Sequence, residues 1–202
     1  MNRIITISRE FGSGGRELGR RLSDKLGYAY YDQEIISEIV QRTELSEKYV
    51  RDISERRPPI TAFPIHTGRS FYMPQNPAWT QSQMVHQEQH RIIQEVANLS
   101  DCIIVGRCAD YVLKDMDPYR IFVYADMDSK LRRCRDREES AKDLSDKELQ
   151  RKIKTVDRRR AQYYEFYTDQ GWGERINYDL LINTTNRSVK EAAKMIVKLF
   201  ED

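Results

Sequence analysis

The stretch Ile4–Gly19, IITISREFGSGGRELG, constrains this chain more than any other. Ile4, Ile5 and Ile7 form a short β-branched apolar run, the mark of a strand buried in a parallel sheet. The chain then turns through Gly12-Ser13-Gly14-Gly15. Beyond the turn, Leu18, Leu22 and Leu26 recur every fourth residue as one face of a helix. A strand, a glycine-rich turn and a helix N-terminus together make an anion site. Glycines let the backbone approach the ligand, and the N–H groups of the first helical turn point at it. An ordinary glycine-rich β–α turn with surface residues after it is the plainer alternative.

The phosphate-loop pattern G-x-x-x-x-G-K-[ST] fits only in part. With Gly14 as the second glycine, Arg9 takes the slot of the first and Gly15 that of the lysine, with Arg16 and Glu17 following. Arg16 is the candidate for the missing cation, one residue late, because a guanidinium holds phosphate oxygens in a bidentate fork. Glu17 stands near the position of a magnesium-binding hydroxyl, and a carboxylate binds that ion directly or through water.

At 202 residues the chain is long enough for one domain with a substantial core. Lys+Arg 34 against Asp+Glu 32 leaves a net charge of only +2, so no global basic field argues for nucleic acid. Any anion site must be local. Cys102, Cys108 and Cys134 are odd in number and lack paired metal-ligand spacing, which favours reduced, packed thiols. No apolar run reaches membrane-spanning length, and the first residues enter a strand at once. The expectation is a soluble cytoplasmic protein with no membrane partner.

Along the chain, Gly27 caps the first helix and Tyr28–Tyr31 reads as a short aromatic strand. Asp32 follows. It is placed to cap a helix over Gln33–Arg42 and, at the carboxyl end of a strand, to contact a ligand as well. A more polar helix over Leu45–Arg57 stops before Pro58-Pro59. Residues 58–80 hold five of the six prolines with Phe63, Phe71, Tyr72 and Trp79, and read as an insert covering or lining a pocket. A long helix over Gln81–Leu99 carries His86 and His90 at i, i+4. Without a third metal ligand, these two mark a solvated face.

Cys102–Gly106 is an apolar strand ending in glycine, with Arg107 where strand ends face a crevice; such an arginine suits a phosphate or carboxylate. Tyr119–Ala125 reads as a further strand, followed by an arginine-bearing helix over Asp128–Glu138. A second helix, Lys147–Arg160, ends in Asp157-Arg158-Arg159-Arg160, and Tyr163-Tyr164 and Trp172-Gly173 come after it. This basic cluster lies between two strand signals, as a mobile lid delivering arginines onto phosphates would. Tyr178–Asn183 is the last strand. Ser188 caps a final helix with Val189, Ala192, Met195, Ile196 and Leu199 facing inward. Strands near 2–8, 28–31, 102–106, 119–125 and 178–183, separated by helices, predict a three-layer α/β/α sandwich around a five-stranded parallel sheet.

This order of motifs resembles the cytidylate kinase-like family, a branch of the P-loop nucleoside monophosphate kinases. Four stretches carry the likeness: ISREFGSGGRELG (7–19), YYDQEII (30–36), VGRCADYVL (105–113) with YRIFVYAD (119–126), and DRRRAQYYEFYT (157–168) leading to WG and YDLLINT (178–184). The resemblance implies one P-loop kinase domain over 1–202. It would carry an acceptor-side insert at about 33–100 and an arginine-rich lid at about 136–175. It implies ATP with magnesium and a nucleotide or other small-molecule phosphate acceptor.

In that scheme Gly12, Ser13, Gly14 and Gly15 cradle the β-phosphate, Arg16 replaces the lysine, and Glu17 or Ser13 helps hold magnesium. Arg107 fixes the acceptor phosphate, while Arg158 and Arg160 close over the γ-phosphate. Asp32, Asp110, Asp157, Tyr163 and Tyr164 fall on the acceptor and lid side. Cys108 occupies the acid of the usual Gly-Arg-Asp, with Asp110 nearby. The expected reaction is γ-phosphoryl transfer from ATP, and Arg16→Ala is expected to cost more in turnover than in folding. A kinase of a non-nucleotide metabolite and a nucleotide-binding module without turnover are the two rivals. The insert does not look like the acceptor region of true cytidylate kinases.

Overall fold

The structure, a computed structural model, describes residues 2–54, 56, 77–137 and 139–200. The proline- and aromatic-rich insert therefore lies almost wholly outside the described residues. The elements are β1 (Ile4–Arg9), α1 (Gly15–Leu26), β2 (Ala29–Tyr31), α2 (Gln33–Thr43), α3 (Glu47–Ile53), α4 (Pro77–Leu99) and β3 (Cys102–Val105). They continue as α5 (Ala109–Val112), β4 (Tyr119–Tyr124), α6 (Met127–Arg137), α7 (Glu139–Lys142), α8 (Asp146–Thr168), β5 (Leu180–Asn183) and α9 (Val189–Val197).

The strands form one parallel sheet in the order β2-β3-β1-β4-β5, with β1 at its centre. Its two faces follow the period of two along a strand. Ile4, Cys102 and Ile104 pack under α2, α3 and α4 with Ile35, Ile36, Ile39, Val50, Val85, Ile92 and Ile93. Ile5, Ile7, Ile103, Val105, Ile121 and Val123 point the other way, onto Leu18 and Leu22 of α1 and Val189, Ala192, Ala193 and Ile196 of α9. The chain is thus the expected three-layer sandwich. At about 25 cal/mol per Å² of apolar area, such two-sided burial of the central strand is the main source of its stability.

Several boundaries moved, each for a physical reason. α4 starts at Pro77 rather than residue 81, because proline at the first helical position needs no N–H partner and is already set to the helical φ. α8 runs on to Thr168 instead of ending at Arg160. It opens with a capping box between Ser145 and Glu148, and burial of Tyr163, Tyr164 and Thr168 carries it past the basic cluster. In α9 the inward stripe is Val189, Ala192, Ala193, Ile196 and Val197, while Met195 and Leu199 are both 58% exposed. The 3.6-residue period selects that stripe. Neither Asp32 nor Ser188 makes a side-chain capping hydrogen bond.

His86 does not stand on a solvated face. Its ring stacks on Tyr167 with centroids 3.6 Å apart and lies 3.1 Å from the Tyr163 hydroxyl. Desolvation, helped by the charge of His90, pushes its pKa down to about 4.

Candidate active site

The carboxyl ends of β1 and β3, on neighbouring strands, each release the chain into a glycine turn, and the two turns frame the site. After β1, Gly12 and Gly14 take φ of +75° and +89°, a backbone region that glycine enters without steric cost. Gly14 is the N-cap of α1, and the first intrahelical bond runs from the Leu18 N–H to the Gly14 carbonyl. The Gly15, Arg16 and Glu17 N–H groups therefore precede the helical ladder, while the Ser13 N–H donates to the Glu10 carbonyl at 3.3 Å. After β3, Gly106, Arg107 and Cys108 have φ of +77°, +64° and +53°, three successive left-handed residues. For the two non-glycine residues this costs roughly 1–2 kcal/mol each, strain that a fold keeps where it positions side chains.

Around the glycine turn of β1 lies a cavity of about 240 Å³. Arg9, Arg16, Arg133, Arg137 and Arg160 line it against two acids, Glu10 and Glu17. Such a surplus of guanidinium beside a helix N-terminus suits a polyphosphate. A second cavity, about 20 Å³, is lined by Ser8, Arg9, Ser54, Arg107, Cys108, Arg160, Tyr163 and Trp172 among others. It holds three arginines and room for about one water. Arg9 and Arg160 line both cavities and so stand at the boundary between them.

The structure brings most of the sequence-derived candidates to this place, with corrections. Arg107 is buried, and its guanidinium donates to the carbonyl and hydroxyl oxygens of Ser54 at the end of α3. Arg160 donates to the Arg9 carbonyl at 3.2 Å. Arg158 is exposed and lines neither cavity, because residues two apart on a helix face different ways. Asp157, one turn from Arg160, instead accepts the Phe11 N–H at 2.6 Å and the Lys130 ammonium at 2.9 Å. Through these two contacts it ties α8 to the glycine turn. Tyr163 receives a hydrogen bond from Gln89 at 3.0 Å, and Tyr164 donates to the buried Asp110 at 2.7 Å. Desolvation pushes the Asp110 carboxyl above its ordinary range despite that bond.

Arg16 lines the larger cavity, but its Nε sits 2.8 Å from Asp32 Oδ2. Asp32 is 2% exposed, and its Oδ1 has no hydrogen-bond partner among the described residues. The two metal candidates are engaged elsewhere. The fully buried Ser13 hydroxyl donates to the Glu10 carbonyl at 2.8 Å. Glu17 is clamped by Arg21 and Arg137; partial burial opposes its ionisation, but those two arginines outweigh it and hold the carboxyl below its usual value. These residues do not fit a magnesium ion as they stand.

Sequence reasoning missed Arg9, Arg133 and Arg137 as site residues. Arg9 had a usable signal: like Arg107, it ends an apolar strand at the crevice. Arg133 and Arg137 were hidden in a helix rich in arginine, where only packing shows which ones turn inward. Thr184, whose hydroxyl donates to the Ser13 carbonyl at 2.7 Å and so anchors the turn, gave no signal beyond closing the YDLLINT stretch.

Sheet order, glycine turn and basic helices define a P-loop kinase fold, and solved structures agree. The shikimate kinase of Bacteroides thetaiotaomicron matches over 100% of both chains with TM-score 0.58 at 15% identity. The APS kinase CysC of Mycobacterium tuberculosis, solved with AMPPNP and APS, matches over 100% of both chains with TM-score 0.51 at 16% identity. An uncharacterized protein from Eubacterium ventriosum is more similar, with TM-score 0.70 and 26% identity over 98% of this chain and 97% of its own. The model of the cytidylate kinase-like family matches residues 4–186, and the chain belongs to that family. No curated protein matches it. Among the described residues, no helix is long and apolar enough to cross a membrane.

Proposed function

We propose that this protein is an ATP-dependent kinase that moves the γ-phosphoryl group to a small anionic acceptor. The observation that carries the reading is the pair of arginine-lined cavities meeting at Arg9 and Arg160. A polyphosphate donor suits the larger, and a phosphate or carboxylate of the acceptor suits Arg107 in the smaller.

The acceptor oxygen forms the new bond to γ-phosphorus while the bond to the β,γ-bridging oxygen breaks, and ADP leaves with that electron pair. The acceptor's proton, if it carries one, passes to water. Such a transfer asks the protein for positioning and charge neutralisation rather than covalent chemistry. The turn at Gly12–Gly15 holds the β-phosphate by its N–H groups. Arg133, Arg137 and Arg160 neutralise charge around it, and Asp32 orients Arg16 and the acceptor side. Magnesium would accompany the nucleotide from solution. The small acceptor cavity must widen, and the Arg107–Ser54 contact is the gate that has to open. The insert at about 33–100 and the lid at about 136–175 belong to this reading, as the parts that cover acceptor and donor.

The test is ADP production from Mg-ATP with CMP, dCMP, UMP, AMP, shikimate, APS and a panel of small anionic metabolites. Turnover with one acceptor, falling at least about 100-fold in Arg160→Ala while the melting temperature holds, is the expected result. Tight ATP binding with no ADP formed from any acceptor favours instead a nucleotide-binding module, which the closed acceptor cavity also accommodates. Absence of nucleotide binding refutes both.

A further inference from the structure

The departure of the glycine turn from the usual pattern has a structural counterpart. Where that pattern has glycine the chain has Arg9, and where it has lysine the chain has Gly15. A cation and a glycine have changed places. The side chain of Arg9, only 5% exposed, runs across the gap this leaves. A Cβ placed on Gly15 would strike the Arg9 Cβ and come within 2.9 Å of its Cγ. A Cβ placed on Gly106 would strike Nη1 and come within 2.8 Å of Cζ. The stem of Arg9 thus lies over the lysine slot, and its guanidinium lies over the glycine that precedes the acceptor arginine. Neither glycine could carry a Cβ with Arg9 in this place.

We propose that Arg9, not Arg16, is the cation that replaces the P-loop lysine, entering from the strand side to hold the γ-phosphate of the bound nucleotide at the boundary of the two cavities. Arg16 is more than half exposed and committed to Asp32. Arg9 is buried, lines both cavities and leaves the helix start clear for N–H contacts to the β-phosphate. A guanidinium so placed stays with the transferring group as it passes from donor to acceptor, which a lysine on the helix start would do from one side only. This inference rests on the kinase reading above.

The experiment compares affinity for AMPPNP with affinity for ADP, both in magnesium buffer, by calorimetry, and needs no acceptor. If the parent binds neither nucleotide, the kinase reading fails and the inference with it. If the parent binds both, Arg9→Gln is expected to lose at least about 10-fold in AMPPNP affinity and less than about 3-fold for ADP. Arg16→Ala is expected to change the ratio of the two little. An unchanged ratio in a folded Arg9→Gln protein overturns the inference and leaves the kinase reading intact. A second comparison covers the case in which Arg9→Gln does not fold. Gly15→Lys alone is expected to lower the melting temperature, since its stem meets Arg9. In Arg9→Gly/Gly15→Lys the lysine is accepted and the preference for AMPPNP returns. Equal tolerance of Gly15→Lys with and without Arg9, or a double variant lacking that preference, overturns the inference.

Discussion

Replacing Lys130 by Met tests how the glycine turn is held against the helices that bring arginines to it. The Lys130 side chain is 6% exposed, and its Nζ lies 2.7 Å from Glu10 Oε2 and 2.9 Å from Asp157 Oδ2. The second oxygen of Asp157 accepts the Phe11 N–H at 2.6 Å, and Glu10 Oε2 also accepts the Ala125 N–H at 3.1 Å. One ammonium therefore joins α6, α8, the end of β4 and the glycine turn. Methionine keeps the length and opens no large cavity, so the loss is electrostatic. Two carboxylates are then left facing each other without a cation. Removing one partner of a buried ion pair costs about 3–5 kcal/mol. Glu10 keeps 26% and Asp157 15% of their side-chain exposure, so water offsets part of the loss and the lower end, about 3 kcal/mol, is expected. At about 2–4 °C per kcal/mol for a chain of this size, the melting temperature should fall by about 6–12 °C. Urea unfolding at neutral pH reads the free energy directly. Asp157→Asn in the Lys130→Met background should cost less than in the parent, with a coupling of about 1–3 kcal/mol. A Lys130→Met protein within 1 kcal/mol of the parent, or strict additivity in the cycle, refutes the reasoning.

His86 has a folded-state pKa of about 4, below its ordinary 6.5, because burial disfavours the imidazolium. The unfolded chain then binds more protons between those values, so stability falls as pH drops from 6.5 to 4, by at most about 3 kcal/mol. His86→Phe, which keeps the stack on Tyr167, should flatten that part of the stability profile; coincident slopes for variant and parent would count against it. Gly106→Ala combines a left-handed φ of +77° with a collision against Arg9. It should lose at least about 2 kcal/mol. The Arg9→Ala background should recover the collision but not the backbone part, about 1–2 kcal/mol, and full recovery would show the φ requirement to be wrong.

Much of the fold was legible because its signals are local. A β-branched run before Gly12–Gly15, leucines every fourth residue after it, and an apolar strand ending at Gly106 each declare their element without reference to the rest of the chain. Alternating layers then follow from topology, since parallel strands need crossovers. The site was legible where backbone sets position: the glycine turn, Asp32 and Arg107 all sit at strand ends, and strand ends meet at one edge.

What sequence left open were choices among equivalent side chains. Nothing local separates Arg158 from Arg160, or Arg133 from Arg132. Helix rotation decides them, and that rotation is fixed by distant partners such as Tyr163 on Gln89 and Asp157 on Phe11. The cation proposed to stand in for the missing lysine turns on the same kind of choice. Proximity in sequence favoured Arg16, one residue away, whereas the tertiary structure turns Arg16 onto Asp32 and lays Arg9 across Gly15 towards Gly106. The sequence determined the sheet, its layers and the edge where the glycine turn and Arg107 meet, because these depend on periodicity and turn chemistry. Which cations face that edge was decided by tertiary packing, from Asp32 on Arg16 to Asp157 on Phe11, which no local pattern announces.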